Sequence, residues 1–341
     1  MSAQVENSTP SAVRPVSLVC PICGHDIKEE GGSISCSACG HKFPSEAGIP
    51  LLFWPNDWDS SKGDVTESIK AFYEKDPFPN YDDLDTSESL REKASRGIFG
   101  RLLDEQIPHG SKVLEVGCGT GQLSNFLGLT WGRTIVGSDM CLNSLKLANG
   151  FKTRQNIAST SFVQMNLFRP VFKEESFDFV ICNGVLHHTS DPPLGFKSIS
   201  KLVKKGGHIL IGLYHKHGRI FTDIRRVIFR LSGNRFQFLD PRLRIKSLNQ
   251  LRKHTWFMDQ YKNPHESKHT FGEVLRWFEE SGFSFVHSIP RTTFFDSFSG
   301  QEKLFEPVSA GSTLDRFLVQ ARMLLTGDNE GGFFIMIGQK K

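Results

Sequence analysis

Nowhere in the chain is there an unbroken apolar run of about eighteen residues, the length a helix needs to cross a bilayer. A transmembrane segment is therefore not expected. Residues 1–17 are polar, rich in Ser, Thr, Pro and Asn, and lack the apolar stretch of a secretory signal; a loose, disordered tail is expected there. An excess of one charge sign is also missing. Lys and Arg number 41 against 37 Asp and Glu, a formal net charge of +4, so the chain as a whole is not a nucleic-acid-binding polycation. Cysteine is sparse, at seven, and Cys118, Cys141 and Cys182 are scattered without a pairing pattern. That argues against disulfides and for the reducing cytoplasm. With 341 residues the chain exceeds one ordinary domain and is long enough for a large core. Phenylalanine is plentiful, at 29, which suits a thick core and an aromatic-lined pocket, with packing the use of most of them.

The most informative stretch is 113–124, Val-Leu-Glu-Val-Gly-Cys-Gly-Thr-Gly-Gln-Leu-Ser. An apolar run from Lys112 to Val116 reads as a short buried strand, and a helical pattern begins at Gln122. Between them Gly117, Gly119 and Gly121 stand at every second position. Glycines at a strand-to-helix turn let the backbone pass close under a ligand. The dinucleotide spacing, Gly-x-Gly-x-x-Gly, is absent, and an acid, Glu115, lies inside the strand instead. Further strands are expected over Thr134 to Gly137, ending at Asp139, then Ser161 to Met165, Phe177 to Cys182 and His208 to Tyr214. Helical signals such as Cys141 to Ala148 and Pro193 to Val203 lie between them. This alternation predicts an α/β fold with a parallel sheet wrapped by helices. Ligands in such sheets sit beyond the carboxyl ends of the strands, where all these motif residues fall. A carboxylate at the tip of the second strand, Asp139, can accept from both ribose hydroxyls.

The Glu115-to-Gly121 motif resembles the first motif of class I S-adenosylmethionine (SAM)-dependent methyltransferases, and the resemblance covers about residues 65–341. Cys-Asn-Gly-Val-Leu-His-His-Thr-Ser-Asp-Pro (182–192) resembles the fourth-strand motif of the ubiquinone-type branch. The resemblance implies a Rossmann-like, seven-stranded, mostly parallel sheet with helices on both faces, its sixth strand at Phe283 to Ile289 and an antiparallel seventh at Gly332 to Gln339. It also implies roles. Glu115 approaches the methionine amino group or a water on it, and Gly117, Cys118, Gly119 and Gly121 line the cofactor. Asp139 holds the ribose and Met140 flanks the adenine. Asn166 replaces the acid many members place at the adenine amine, with Leu167 beside it and Asn183 at the end of the fourth strand.

Near the start, Cys20-Pro-Ile-Cys23 and Cys36-Ser-Ala-Cys39 form two knuckles twelve residues apart, each followed by Gly-His. Four thiolates presented as two such pairs suit a tetrahedral, structural Zn²⁺. His25 and His41 are then expected at the surface. The following Phe43-to-Phe53 stretch resembles small zinc-ribbon proteins that accompany tRNA and protein methyltransferases, and the amino-terminal ribbon of some rRNA guanine methyltransferases. The expected organisation is a tail (1–17), a zinc ribbon (18–54), and a methyltransferase domain (64–341) with a basic helical insertion at about 215–268.

Three further segments bear on the acceptor. Ala71 to Asp82 is a short helix broken by Pro77 and Pro79; related methyltransferases close such a segment over the cofactor, so Tyr73 or Tyr81 either covers SAM or staples the segment to the core. From Lys216 to Lys253 there are eleven Lys and Arg against two acids, Asp223 and Asp240. Ile220, Phe221, Ile224, Val227, Ile228 and Leu231 fall at helical intervals among them, an amphipathic basic helix. It can serve as a substrate lid, touch an anionic membrane surface, or grip RNA phosphates. Finally, His187, His188, Tyr214 and His215 at the ends of strands four and five, with Asp259, Tyr261, His265 and Glu266, are candidate bases or substrate anchors. His188 and His265 lead, because neutral imidazole suits proton removal near pH 7. The Asn-Pro-Pro-aromatic motif of amino-directed enzymes is absent, which favours an oxygen or carbon acceptor. The expected function is a methyltransferase acting on a small or lipid-like metabolite. An RNA methyltransferase and a non-catalytic SAM-binding scaffold are the alternatives.

Overall fold

Three short antiparallel strands open the structure, a computed structural model that describes residues 16–30, 33–58, 63–79, 85–246, 248–296, 298–330 and 332–341. They are β1 (Ile27–Glu30), β2 (Ser33–Cys36) and β3 (Lys42–Phe43), and a second hairpin follows, β4 (Ser45–Glu46) and β5 (Ile49–Pro50). Three helices lead into the main sheet: α1 (Thr66–Lys75), α2 (Ser87–Arg96) and α3 (Ile98–Gln106). The tail expectation, apart from Val16 and Ser17, and Tyr81 lie outside the described residues.

Strands and helices then alternate: β6 (Lys112–Val116), α4 (Gln122–Gly128), β7 (Thr134–Asp139), α5 (Leu142–Arg154), β8 (Thr160–Gln164), β9 (Phe177–Asn183), α6 (Pro192–Ser200) and β10 (Val203–Tyr214). After β10 come α7 (Ile220–Leu231), α8 (Gln250–Phe257), α9 (Phe271–Glu280), β11 (Phe283–Ile289), α10 (Thr313–Glu330) and β12 (Phe333–Lys340). The seven-stranded sheet has the order β11-β12-β10-β9-β6-β7-β8. β6 pairs in parallel with β7 and β9, and β9 with β10, whereas β12 runs antiparallel to both β10 and β11. The fold is the Rossmann-like, mostly parallel sheet expected, with the last strand reversed.

Local chemistry sets these elements. β6 and β9 are almost wholly buried runs, as strands covered on both faces must be. The Asp191 side chain accepts from Leu194 N–H at 2.9 Å, and Pro192 sits in the first turn of α6, where a missing N–H costs nothing. Thr270 and Glu273 form the capping box of α9. β10 starts five residues before its expected first residue, His208, because Leu202 and Val203 are buried against β9 and Phe177 N–H donates to Leu202 O at 3.0 Å.

The amino-terminal hairpins are built into the same body as the sheet. Cys20, Ile34, Cys36 and Phe43 share one buried cluster with Phe172, Phe177 and Phe196. Val19 N–H donates to Val171 O at 2.8 Å, and Leu51 bridges Gln164 in parallel, continuing the sheet beyond β8. Among the described residues no helix is long and apolar enough to cross a membrane.

Candidate active site

The strand order reverses between β6 and β9, and the crevice at their carboxyl ends is where open α/β sheets hold ligands. The glycine loop lies there. Gly117, Gly119 and Gly121 all take positive φ, at 70°, 52° and 70°. Space adds a second constraint. A Cβ on Gly117 would lie 2.3 Å from Val185 Cγ2, and one on Gly119 would lie 2.2 Å from Phe78 O. Backbone cannot yield as a flexible side chain does, so Gly119→Ala is expected to destabilise the protein by roughly 1–2 kcal/mol from the left-handed φ and more from the clash, read as a fall in thermal midpoint.

Asp139 fastens the loop. Its Oδ2 accepts from Gly119 N–H and its Oδ1 from Cys141 N–H, both at 2.8 Å. Glu115, one strand away, accepts from the Ser124 hydroxyl. Burial raises the Glu115 carboxyl to about 7 against the pull of that hydroxyl. Burial also raises Asp139, with the two amides opposing. Neither carboxyl has a cationic side-chain partner among the described residues, so a cationic ligand at this end of the crevice would offset the burial that raises both.

A cavity of about 680 Å³ runs from this end across the sheet. Of the residues expected at a cofactor, Glu115, Gly117, Cys118, Gly119, Asp139, Met140, Asn166, Leu167 and Asn183 line it. Gly121 is not among them; it packs beneath the loop against Ala148 and Phe162. The Asn166 amide is already engaged: it donates to Trp54 O at 2.9 Å and Asn56 Oδ1 at 2.8 Å, and accepts from Phe168 N–H at 3.1 Å. Its local partners are the segment that follows the amino-terminal hairpins.

The opposite end holds a buried polar network. His188 lines the cavity, and its Nδ1–H donates to His265 O at 2.8 Å. A carbonyl can only accept, so the tautomer is fixed and Nε2 carries the free lone pair. No residue among those described bonds to that Nε2. Burial lowers the His188 pKa, with Asp259 opposing. Asp259 accepts from Tyr73 O–H at 2.8 Å and from Gln260 Nε2 at 2.7 Å; Gln260 Nε2 also donates to Tyr214 Oη at 2.6 Å. Tyr73 in turn accepts from Asn263 Nδ2 at 2.8 Å, and burial beside Asp259 holds its phenol well above the usual range. Asp259 and Gln260 sit in a single π-turn, Met258–Lys262, directly after α8.

Two arginines of the basic segment brace this network from inside. Arg219 is fully buried. It stacks 3.7 Å from the Tyr214 ring centroid and pairs with Glu266 at 2.7 Å. Arg226 meets the same Glu266 oxygen at 3.0 Å. Burial works against the Glu266 carboxylate, yet the two guanidinium groups hold it below its ordinary range.

Several expected candidates have other surroundings. His187 is buried outside the cavity lining, packed on Tyr214 and His188 with ring centroids 4.1 and 4.2 Å away, and burial lowers its pKa well below 6.5. His265 contributes its carbonyl, and its ring does not line the cavity. His215 is buried against Gln320 of α10, Tyr261 donates to Asp240 Oδ2 at 2.7 Å, and Glu266 is locked by the arginines. Sequence reasoning missed Gln260, Arg242, Trp256 and Phe333 on the cavity wall. Arg242, Trp256 and Gln260 come from one stretch around α8, where Gln260 directly follows Asp259 but carries no ionisable group, and Phe333 comes from the start of β12.

The four knuckle cysteines converge: their Sγ atoms all lie within 4.8 Å of one another, with Cys20 and Cys39 3.7 Å apart and Cys23 and Cys36 3.4 Å apart. A tetrahedron of sulfurs about 2.3 Å from a metal spaces them by about 3.8 Å, so the cluster fits a metal ion. Each knuckle closes on a glycine at positive φ, Gly24 at 76° and Gly40 at 71°, whose N–H donates back to Cys20 O or Cys36 O. His25 and His41 are exposed, as expected.

The sheet order with its reversed last strand, and the glycine loop after β6, are those of a Rossmann-like α/β fold. Residues 114–211 match the family model described as a methyltransferase domain. The chain is 26% identical over 255 residues to an uncharacterised protein from Synechococcus sp., across 65% of this chain and 60% of that protein. It is 30% identical over 115 residues to a ubiquinone biosynthesis O-methyltransferase from Paracidovorax citrulli, across 33% of this chain and 47% of that protein. A solved structure, PKMT2 from Rickettsia typhi in complex with AdoHcy, aligns at 15% identity and a TM-score of 0.49 over 76% of this chain and 55% of that one. The chain spans about half the length of the curated relatives it matches.

Proposed function

We propose that the protein binds SAM at the Glu115–Asp139 end of the cavity and methylates an oxygen or carbon of a small or lipid-like acceptor at the His188 end. One observation carries this reading: a single cavity joins two buried carboxylates lacking cationic partners to a neutral imidazole with one free lone pair. The carboxylate end suits a ligand that brings its own positive charges, as a sulfonium amino acid does. When bound, SAM supplies an electrophilic methyl group on a cationic sulfur. The protein's residues then have three tasks. Glu115 and Asp139 hold the cofactor's ammonium and ribose hydroxyls, while the glycine loop, Met140 and Leu167 shape its bed and Asn166 and Asn183 border it. The α1 segment, pinned by the Tyr73–Asp259 bond and by Phe78 against Gly119, excludes water. His188 Nε2 takes the acceptor's proton, with the His265 carbonyl fixing its tautomer.

On this reading residues 64–341 form the catalytic domain and 18–54 a structural ribbon whose four thiolates hold Zn²⁺. An RNA acceptor is disfavoured because Arg219 and Arg226, two of the cations that made the 216–253 segment look phosphate-seeking, are engaged with Glu266 inside the fold. Calorimetry with SAM and its demethylated product tests cofactor binding, and transfer of a labelled methyl group into separate lipid, metabolite and RNA pools tests the acceptor. Asp139→Ala removes both loop bonds and the ribose acceptor together, so its SAM affinity is expected to fall at least about tenfold, the equivalent of one charge-assisted hydrogen bond. Absence of SAM uptake by the native protein overturns the proposal.

A further inference from the structure

An amphipathic helix on a globular protein normally turns its apolar stripe to the core. α7 does the reverse. Its inward side carries Thr222, Phe229 and the Glu266-bound Arg226. Its stripe at helical spacing, Ile220, Ile224, Val227 and Leu231, faces outward, with Val227 56% and Leu231 82% exposed. α10, which packs against α7, adds exposed Leu314 and Phe317, and the segment after α7 adds Phe236 and Phe238. So many exposed large apolar side chains on adjoining elements mark a contact surface rather than ordinary solvent-facing scatter.

Charge narrows the partner. Lys216, Arg230, Arg235, Arg244 and Lys246 are exposed, Lys253 is half-buried, and none of the six has an ion-pair partner among the described residues. The two acids of the segment do not offset them, since Asp223 is bound to Lys268 at 2.5 Å and Asp240 is buried under Trp256 and Tyr261. A second copy of this chain docked face to face would bring like charges together. RNA would find the cations but no use for an aliphatic stripe, which neither stacks on bases nor meets phosphate. An anionic bilayer satisfies both features: the stripe enters the acyl boundary while the cations meet the headgroups. Arg242 and Trp256, in and just after this segment, stack 4.1 Å apart and line the cavity, so the surface adjoins the cavity.

We propose that α7 and the segment 232–253 dock the protein on an anionic lipid surface, with the cavity beside the bilayer. The surface does not depend on methyl transfer, and its test is separate. Full-length protein is sedimented with phosphatidylcholine vesicles and with vesicles containing phosphatidylglycerol. Binding is expected only to the anionic vesicles and is expected to weaken as salt is raised. Val227→Glu with Leu231→Glu, and separately Arg230→Glu with Arg235→Glu, should each weaken that binding at least tenfold. All four sites are exposed, and an unchanged thermal midpoint and SAM affinity verify that the variants fold. The proposal is overturned if the native protein ignores anionic vesicles or if the Val227/Leu231 variant binds them like the native chain. It is also overturned if light scattering finds a dimer that this variant dissolves while vesicles remain unbound, or if RNA binds through the arginines with no effect of the apolar pair.

Discussion

Replacing His188 with glutamine is expected to lower methyl-transfer turnover by about 10²–10⁴-fold while leaving SAM affinity unchanged. The size follows from the role: glutamine fills similar space but has no basic lone pair of comparable strength. The companion variant makes the test specific. His265 reaches the site only through its carbonyl, so His265→Ala keeps the bond to His188 Nδ1 and should retain most of the turnover. If both variants fall equally, the base is elsewhere. pH gives an independent reading. Burial depresses the His188 pKa below 6.5, so the imidazole stays neutral, and competent as a base, to lower pH than a free histidine. The acid limb of turnover should therefore lie below pH 6.5, provided the acceptor titrates outside that range. Asp259 opposes the depression. Asp259→Asn should thus move the limb further toward acid, the opposite of what a merely structural loss of activity would produce.

The parts of this molecule legible in its sequence are those whose causes are local. β6 and its glycine loop are read within a residue because burial, turn geometry and close approach all act within about ten positions, and each leaves its own mark in composition. The knuckle cysteines reveal their convergence through spacing alone. What stayed hidden depends on partners distant in the chain. α7 was readable as amphipathic, but periodicity gives the stripe and not which way it faces. That is decided by Glu266, some forty residues on, which draws Arg219 and Arg226 inward and turns Ile224 and Val227 out. Asn166 reads as an adenine contact until Trp54 and Asn56 come from over a hundred residues away to occupy its amide. α2, α3 and α10 take their places by packing on sheet faces assembled from distant strands, a cause that leaves no local mark in composition.

That reach across the chain is also why metal loss should be felt far from the ribbon. Cys20 and Cys36 lie in the same core cluster as Phe172 and Phe177, and Leu52 N–H donates to Gln164 O at 3.0 Å along the edge of β8. If the four thiolates hold a zinc ion, Cys36→Ser leaves three ligands and an open position in a site that must otherwise be closed. The loss of a structural metal belongs with the few changes costing roughly 4–5 kcal/mol or more. For a chain of this size that corresponds to a fall of about 6–7 °C in the thermal midpoint. A ribbon hanging free of the sheet would melt alone and leave the main transition in place. Here it forms part of one body, so the main transition itself should move, and chelation should reproduce the effect while releasing about one metal ion per chain. SAM affinity should fall with it, because Asn166 and the β8 edge beside the cavity lose Trp54, Asn56 and Leu52. Should chelation release zinc yet leave both the main transition and SAM affinity where they were, the ribbon's bonds to β8 would have to be energetically idle.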